Sequence, residues 1–434
     1  MPRALSRPLS AALLAALLAA CAPSVRPVQA GAGESLAAGF AFWDAVKELE
    51  LARATRIAPG REHADFARGM RLVLDGRMDD AEERFAPLAS GAADSLVRTA
   101  SRVALSSVLG YDGKWQALHQ LASSVPFDPE SGTSRRAGSD AWSATMRLAP
   151  EPRYRFESFT AALPFVTTGT GTPLLAVRVN GVERYFWLDT GTSLTLVSAE
   201  VAREVGLAPL RPDTLEIVTS VGRIPALPAV VRRLELGPLV AEDHPVAIVP
   251  DRELTILDAL GGERKQLVRI EGVIGMDLMR RLNVVVDFPT GIAILSEPRP
   301  ERDRKRERNL FWLGYPVVRA EGPRGVPLYF GLDTGADSTY VTRNLVRKLP
   351  TRLLARRTRW IAGFGGDTLI RTPALSGLRL TAAGRDFTLR EVAVRDTRRL
   401  MLFDLDGVLA SALGAGHRVR IDMTNGIFEI GTPP

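Results

Sequence analysis

Cysteine is almost absent. The 434 residues contain one, Cys21, which excludes an intramolecular disulfide and any multi-cysteine zinc or iron–sulfur centre. Histidine is scarce as well: His63, His119, His244 and His417 lie far apart, and no HExxH pair is present to seat a metal. No G-x-S-x-G elbow accompanies them, so nothing marks a serine nucleophile. Charge of one sign is not concentrated either. The 56 basic and 49 acidic residues are interspersed, and the net charge of +7 lacks the clustered face of a nucleic-acid binder, so no nucleic acid partner is expected. By elimination, catalysis would rest on carboxylates. What remains is an ordinary globular composition, 46% hydrophobic and 24% charged, with length for about three domains.

Arg3 and Arg7 precede an apolar run, Leu9 to Ala20, long enough for a signal-peptide core and too short to span a bilayer comfortably. The run ends in Leu18-Ala19-Ala20-Cys21, which resembles the lipobox of bacterial lipoproteins. That resemblance implies a signal peptide over 1–20, lipidation of Cys21 and attachment to the membrane of a bacterial cell envelope, facing the periplasm or the exterior.

Residues 21–150 read as a helical domain plus linker. From about Glu34 to Ser124 apolar residues recur at helical spacing: Phe66, Met70, Val73 and Leu74, then Ala81, Phe85 and Leu88. A second unit reads Leu96, Ala100, Val103 and Ala104, then Gly110 to Gly113, then Trp115, Leu118 and Leu121. These two helical hairpins loosely resemble tetratricopeptide repeats, which would recruit a protein partner; a helical bundle without a groove is the alternative. Pro126 to Arg155 lacks apolar periodicity and reads as a linker.

The remainder is a duplication. Gly181 to Gly191 (GVERYFWLDTG) and Gly325 to Gly335 (GVPLYFGLDTG) are identical at eight of eleven positions. Val284 to Leu295 matches Val419 to Ile430, with Asp287 over Asp422, two carboxylates expected to cap turns. The copies span 151–298 and 309–434, joined by the charged segment 299–308, which alternates signs and reads as a solvated linker. In each copy two strands lead into an aspartate, Asp189 or Asp333, followed by Thr-Gly. A carboxylate at the end of an apolar strand is costly to bury unless it is hydrogen-bonded or used.

L-D-T-G-[AT] after an apolar strand resembles the active-site signature of aspartic proteases, and the second copy looks especially like the retroviral type. The resemblance implies a mainly β, bilobal fold made of two retropepsin-like lobes, a monomer with an intramolecular pair Asp189 and Asp333, and a polypeptide substrate. Site support would come from Thr190, Gly191 and Thr192, from Thr334, Gly335 and Ala336, and from Gly275 behind the loop, where the second copy has Ala410. A flap would be formed by Gly363-Phe364-Gly365-Gly366, with Asp337 also placed at the substrate; the first copy offers Ser220-Val221-Gly222 at the flap position. Two close carboxylates would share one proton, with no metal or organic cofactor implied. Only Thr192 is expected to give the pair a hydroxyl donor, since its counterpart is Ala336, and the expected activity optimum is therefore nearer neutral. The competing reading is an inactive envelope lipoprotein that clamps extended peptides or protein partners.

Overall fold

The computed structural model describes residues 32–124, 141–220, 222–258, 266–300, 307–336, 338–350, 352–396, 399–400 and 402–431. Cys21 and the rest of the proposed signal segment, Val221 and Asp337 lie outside the described residues, as do 125–140 and 301–306 of the two linkers.

Among the described residues, six helices form the amino-terminal region: α1 (Ala32–Lys47), α2 (Leu51–Arg56), α3 (Arg61–Leu74), α4 (Met78–Gly91), α5 (Ser95–Asp112) and α6 (Trp115–Ser123). Phe66, Met70 and Val73 of α3 face Ala81, Phe85 and Leu88 of α4, all buried, as their spacing dictates. In α5 the buried stripe differs from the expected one. Leu96 is 62% exposed and Val103 37% exposed, while Val97, Ala100, Ala104, Leu105 and Val108 are buried. The Asp94 carboxylate accepts the N–H groups of Leu96 and Val97 at 2.8 and 3.1 Å, and this cap fixes a helix phase one position away from that of the leucine. Gly113, at φ 70°, ends the helix in a left-handed turn.

The two copies fold as β lobes of matching plan. In the first, strands Pro173–Val179 and Val182–Leu188 form a hairpin over Asn180 and Gly181, both at positive φ (50° and 86°), as a tight turn requires. The second strand delivers Asp189 and pairs in parallel with Gly272–Ile274, which pairs antiparallel with Leu196–Ser198. In the second lobe Pro316–Glu321 and Pro327–Asp333 form the hairpin, and the latter pairs in parallel with Gly407–Ala410, itself antiparallel to Tyr340–Thr342. The lobes are joined by sheet. Asn283–Asp287 of the first pairs antiparallel with Arg418–Asp422 of the second, so one sheet runs from the last strand of the second lobe into the first. Asp287 and Asp422 accept the N–H of Thr290 and of Asn425, each capping the hairpin turn beside it.

Both linkers are shorter than they read. Residues 141–146 are helical, with Trp142 and Met146 buried against Trp187, Leu196 and Ile224 of the first lobe. Arg308 donates to the carbonyls of Met423 and Thr424, and its guanidinium lies against Gly76 and Gly426; a planar cation with several donors finds partners where the charge run alone suggested solvent.

The helical region docks on both lobes. The Trp312 indole donates to the Ser107 carbonyl at 3.2 Å and packs on Tyr111, while Arg280 of the first lobe lies 4.5 Å above the same tyrosine ring. At the far side Lys348 bridges Glu48 of the helical region (2.7 Å) and Asp406 of the second lobe (3.1 Å). Asp406 is fully buried and also accepts the Tyr329 N–H and the Asn344 amide, each at 2.8 Å.

Candidate active site

Asp189 and Asp333 arrive at the ends of equivalent strands and meet where the lobes touch. Each following threonine reaches across. Thr190 N–H donates to Thr334 Oγ1 (2.9 Å) and Thr334 N–H to Thr190 Oγ1 (3.0 Å), while the hydroxyls donate to the carbonyls of Leu332 and Leu188 (2.8 and 2.7 Å). This reciprocal set satisfies polar groups that the lobe interface would otherwise bury unpaired. The glycines make the approach sterically available. A Cβ on Gly191 would sit 2.5 Å from Asp333 Oδ1, and one on Gly335 would sit 2.6 Å from Asp189 Cγ.

The carboxylates have unequal surroundings. Asp189 is 4% exposed and accepts from Gly191 N–H (2.7 Å), Gly335 N–H (3.1 Å) and the Thr192 hydroxyl (2.8 Å). Burial pushes its carboxyl above the usual range, opposed by those three donors. Asp333 is half-buried and shares the Gly335 N–H at 3.1 Å. Burial and the adjacent Asp189 charge push it up to about 7. Two carboxyl groups that share the Gly335 N–H resist ionising together, so the pair holds one proton over a range of pH, and Asp333, raised by the Asp189 charge, is the partner that keeps it.

Gly275 lies behind the first loop: a Cβ there would come within 2.7 Å of the Leu194 backbone, and the next N–H, of Met276, donates to Thr192 O at 2.8 Å. Ala410 occupies the second-lobe position, paired with Asp333 across the parallel ladder, and its N–H is met by the Thr339 hydroxyl at 3.0 Å. Gly363 and Gly366 close a hairpin whose tip, Phe364-Gly365, crosses to the first lobe. Phe364 packs on Trp187 with ring centroids 5.4 Å apart, and Gly365 N–H donates to Glu253 O. The weak Ser220-Gly222 match also lies at a hairpin tip, between Leu215–Val218 and Arg223–Leu236.

Asp189, Gly191, Thr192, Asp333, Gly335, Ala336, Gly363 and Phe364 line one cleft of about 630 Å³; Gly275, Thr190 and Thr334 sit behind its floor. Two contributions were not anticipated. Tyr111, Trp115 and Leu118 of the helical region line the same cleft, because α5 and α6 meet at a turn held against Arg280 and Trp312. The second is Tyr315, which lines the cleft beside Asp333 and helps to hold its carboxyl down. Pairing by sequence position compared only residues beside each DTG and overlooked a side chain that reaches the cleft from ahead of the hairpin.

Residues 175–278 match the family model described as "Aspartyl protease". No curated protein sequence matches the chain. Among solved structures, the aspartic proteinase from Irpex lacteus is similar over 63% of this chain and 97% of its own, with 12% identity and a TM-score of 0.37. A retropepsin-like aspartic protease from Rickettsia conorii is similar over 34% of this chain and 96% of its own, with 17% identity and a TM-score of 0.22. With TM-scores this low, the two-lobed architecture stands on the strand order and register given above. The first lobe, with Asp189, Thr192 and Gly275, thus carries the aspartyl protease pattern in its sequence, and the second sets Asp333 against it.

Proposed function

We propose that this protein is an exported, lipid-anchored aspartic endopeptidase that hydrolyses polypeptides through the Asp189–Asp333 pair. The single observation that carries this reading is the pair itself: two carboxylates bridged by the Gly335 N–H, both lining one cleft, with a raised proton affinity at Asp333. A pure peptide clamp gains nothing from burying two carboxylates together.

In this mechanism Asp189, with more donors, is the ionised partner. It takes a proton from a bound water as the water oxygen bonds to the peptide carbonyl carbon, and protonated Asp333 gives its proton to the carbonyl oxygen. When the tetrahedral species collapses, the proton on Asp189 passes to the leaving nitrogen as the C–N bond breaks, and Asp333 recovers its own from the diol hydroxyl. Activity then requires one proton on the pair. It should fall as pH rises through about 7, where Asp333 ionises, and fall again in acid as Asp189 protonates. Casein fragmentation by the purified full-length chain, followed from about pH 3.5 to about 8, tests this; inertness of the folded protein at every pH would move the clamp reading ahead.

The helical region is assigned a share of substrate binding, whatever partner its tetratricopeptide-like hairpins recruit. Trp115 lines the cleft and comes from the helical region, not from either DTG loop, so Trp115→Ala should raise KM about tenfold with kcat nearly unchanged, as expected when uniform binding is removed. For the anchor, Cys21→Ser should move the protein from the membrane to the soluble fraction of cells, and the mature wild type should carry the mass of its acyl chains.

A further inference from the structure

Each lobe enters the hairpin that leads to its aspartate through the same three-residue pattern, Gly171-Thr172-Pro173 and Gly314-Tyr315-Pro316, with the glycine at φ 84° and 80°. The strand register confirms the equivalence: Leu174, next after Pro173, faces Trp187, and Val317, next after Pro316, faces Gly331. In the first lobe the Thr172 hydroxyl donates to the carbonyl of Thr334 at 2.7 Å, one residue from Asp333. In the second the longer Tyr315 lies against Gly331, which shares a strand face with Asp333 two residues on, and both Tyr315 and Asp333 line the cleft.

Space for that ring exists because of a second difference between the copies. Where the first lobe has Trp187, the second has Gly331, and a Cβ at Gly331 would already lie 2.8 Å from Tyr315 Cε1. A third difference gives the ring its task. Asp189 has the Thr192 hydroxyl at 2.8 Å, and the equivalent of Thr192 is Ala336, which has none.

We propose that Tyr315 is the positioning residue of Asp333, its hydroxyl holding the second carboxylate as Thr192 holds the first and replacing the donor missing at Ala336. The two-residue exchange, Tyr315 with Gly331 against Thr172 with Trp187, is what lets one chain carry a different hydroxyl donor in each lobe. Burial and the two adjacent carboxylates push the Tyr315 hydroxyl well above its ordinary range, so it stays a donor at every working pH. The inference rests on the catalytic reading of the pair for its kinetic consequence, but not for its titration.

The test uses the full-length chain with carbon-13-labelled aspartate. Carboxyl titration by NMR and the pH profile of casein cleavage are measured for wild type, Tyr315→Phe, Ala336→Ser and the double variant. Loss of a hydrogen bond to the ionised form raises a carboxyl pKa. Tyr315→Phe should therefore move the upper pKa of the pair upward by about one unit, with the basic limb of activity following. Adding Ala336→Ser should bring both back, a rescue that a merely structural tyrosine would not permit. An unmoved upper pKa in folded Tyr315→Phe overturns the proposal. Should that variant fail to fold, Ala336→Ser alone decides: a shift well below one unit supports a site already served by Tyr315, and a full downward unit overturns it. Absence of casein cleavage by wild type, with the titration shift present, counts against the peptidase reading and leaves the placement of Tyr315 standing.

Discussion

Asp189→Asn and Asp333→Asn should each lower casein cleavage by about 10³-fold or more, because each removes one half of a proton relay that neither amide can replace. The two variants should then part company in stability. Asp333 binds its proton more tightly in the folded chain, up to about 7, than an unfolded chain does. Its contribution to stability is intact below the unfolded carboxylate pKa and is lost as pH rises through about 7. Asparagine at 333 removes that loss, so Asp333→Asn should melt above wild type at about pH 8 and no higher than wild type at about pH 4. Asp189 accepts three donors that favour the charged form, and an amide there loses part of that set, so its variant should gain less at alkaline pH. Melting temperature against pH for the three proteins checks the contrast. Equal curves for all three would mean that the carboxylates do not share a proton in the folded state.

The largest stability loss is expected where the helical region meets the second lobe. Lys348→Met should destabilise the protein by about 3 kcal/mol, the usual cost of leaving one member of a buried ion pair without the other. Asp406 is fully buried, and burial already pushes its carboxyl upward while the Lys348 ammonium holds it down. With the ammonium gone, the Tyr329 N–H and the Asn344 amide are too few to offset desolvation of a charge. Glu48 loses its partner at the same time, and the helical region with it loses one of its contacts to the second lobe. Urea unfolding at neutral pH measures the loss, and Lys348→Met combined with Asp406→Asn should recover part of it, since the orphaned charge is then removed.

What could be read from the sequence was local. Asp189 and Asp333 stood out because an eleven-residue pattern recurs, and the flap tip because Gly365 and Gly366 need left-handed backbone, at φ 93° and 119°. The helices announced themselves by spacing, yet the phase of α5 depended on a cap at Asp94 that shifted Leu96 and Val103 outward. Tyr315 was illegible because its role depends on Gly331 being small and Ala336 being bare, three positions whose meaning appears only when the two lobes are compared strand by strand. The Glu48, Lys348 and Asp406 network draws on three distant segments. The Trp312 to Ser107 bond spans 205 residues, a separation at which no periodicity signals contact.

The docking of the helical region also has a mechanical meaning. Two lobes joined by one sheet and a shared floor would ordinarily rock about that seam, opening and closing the groove between them. Here a third body is fastened to the first lobe through Arg280 and to the second through Trp312 and Lys348. It bridges the seam as a brace, and the two hairpin tips are the parts of the cleft wall that it does not tie down. Rigidity gained this way lowers the ordering cost of binding an extended chain. On the peptidase reading proposed above, the same brace would restrict entry to flexible segments and so act as a filter for unfolded or loosely tethered polypeptide.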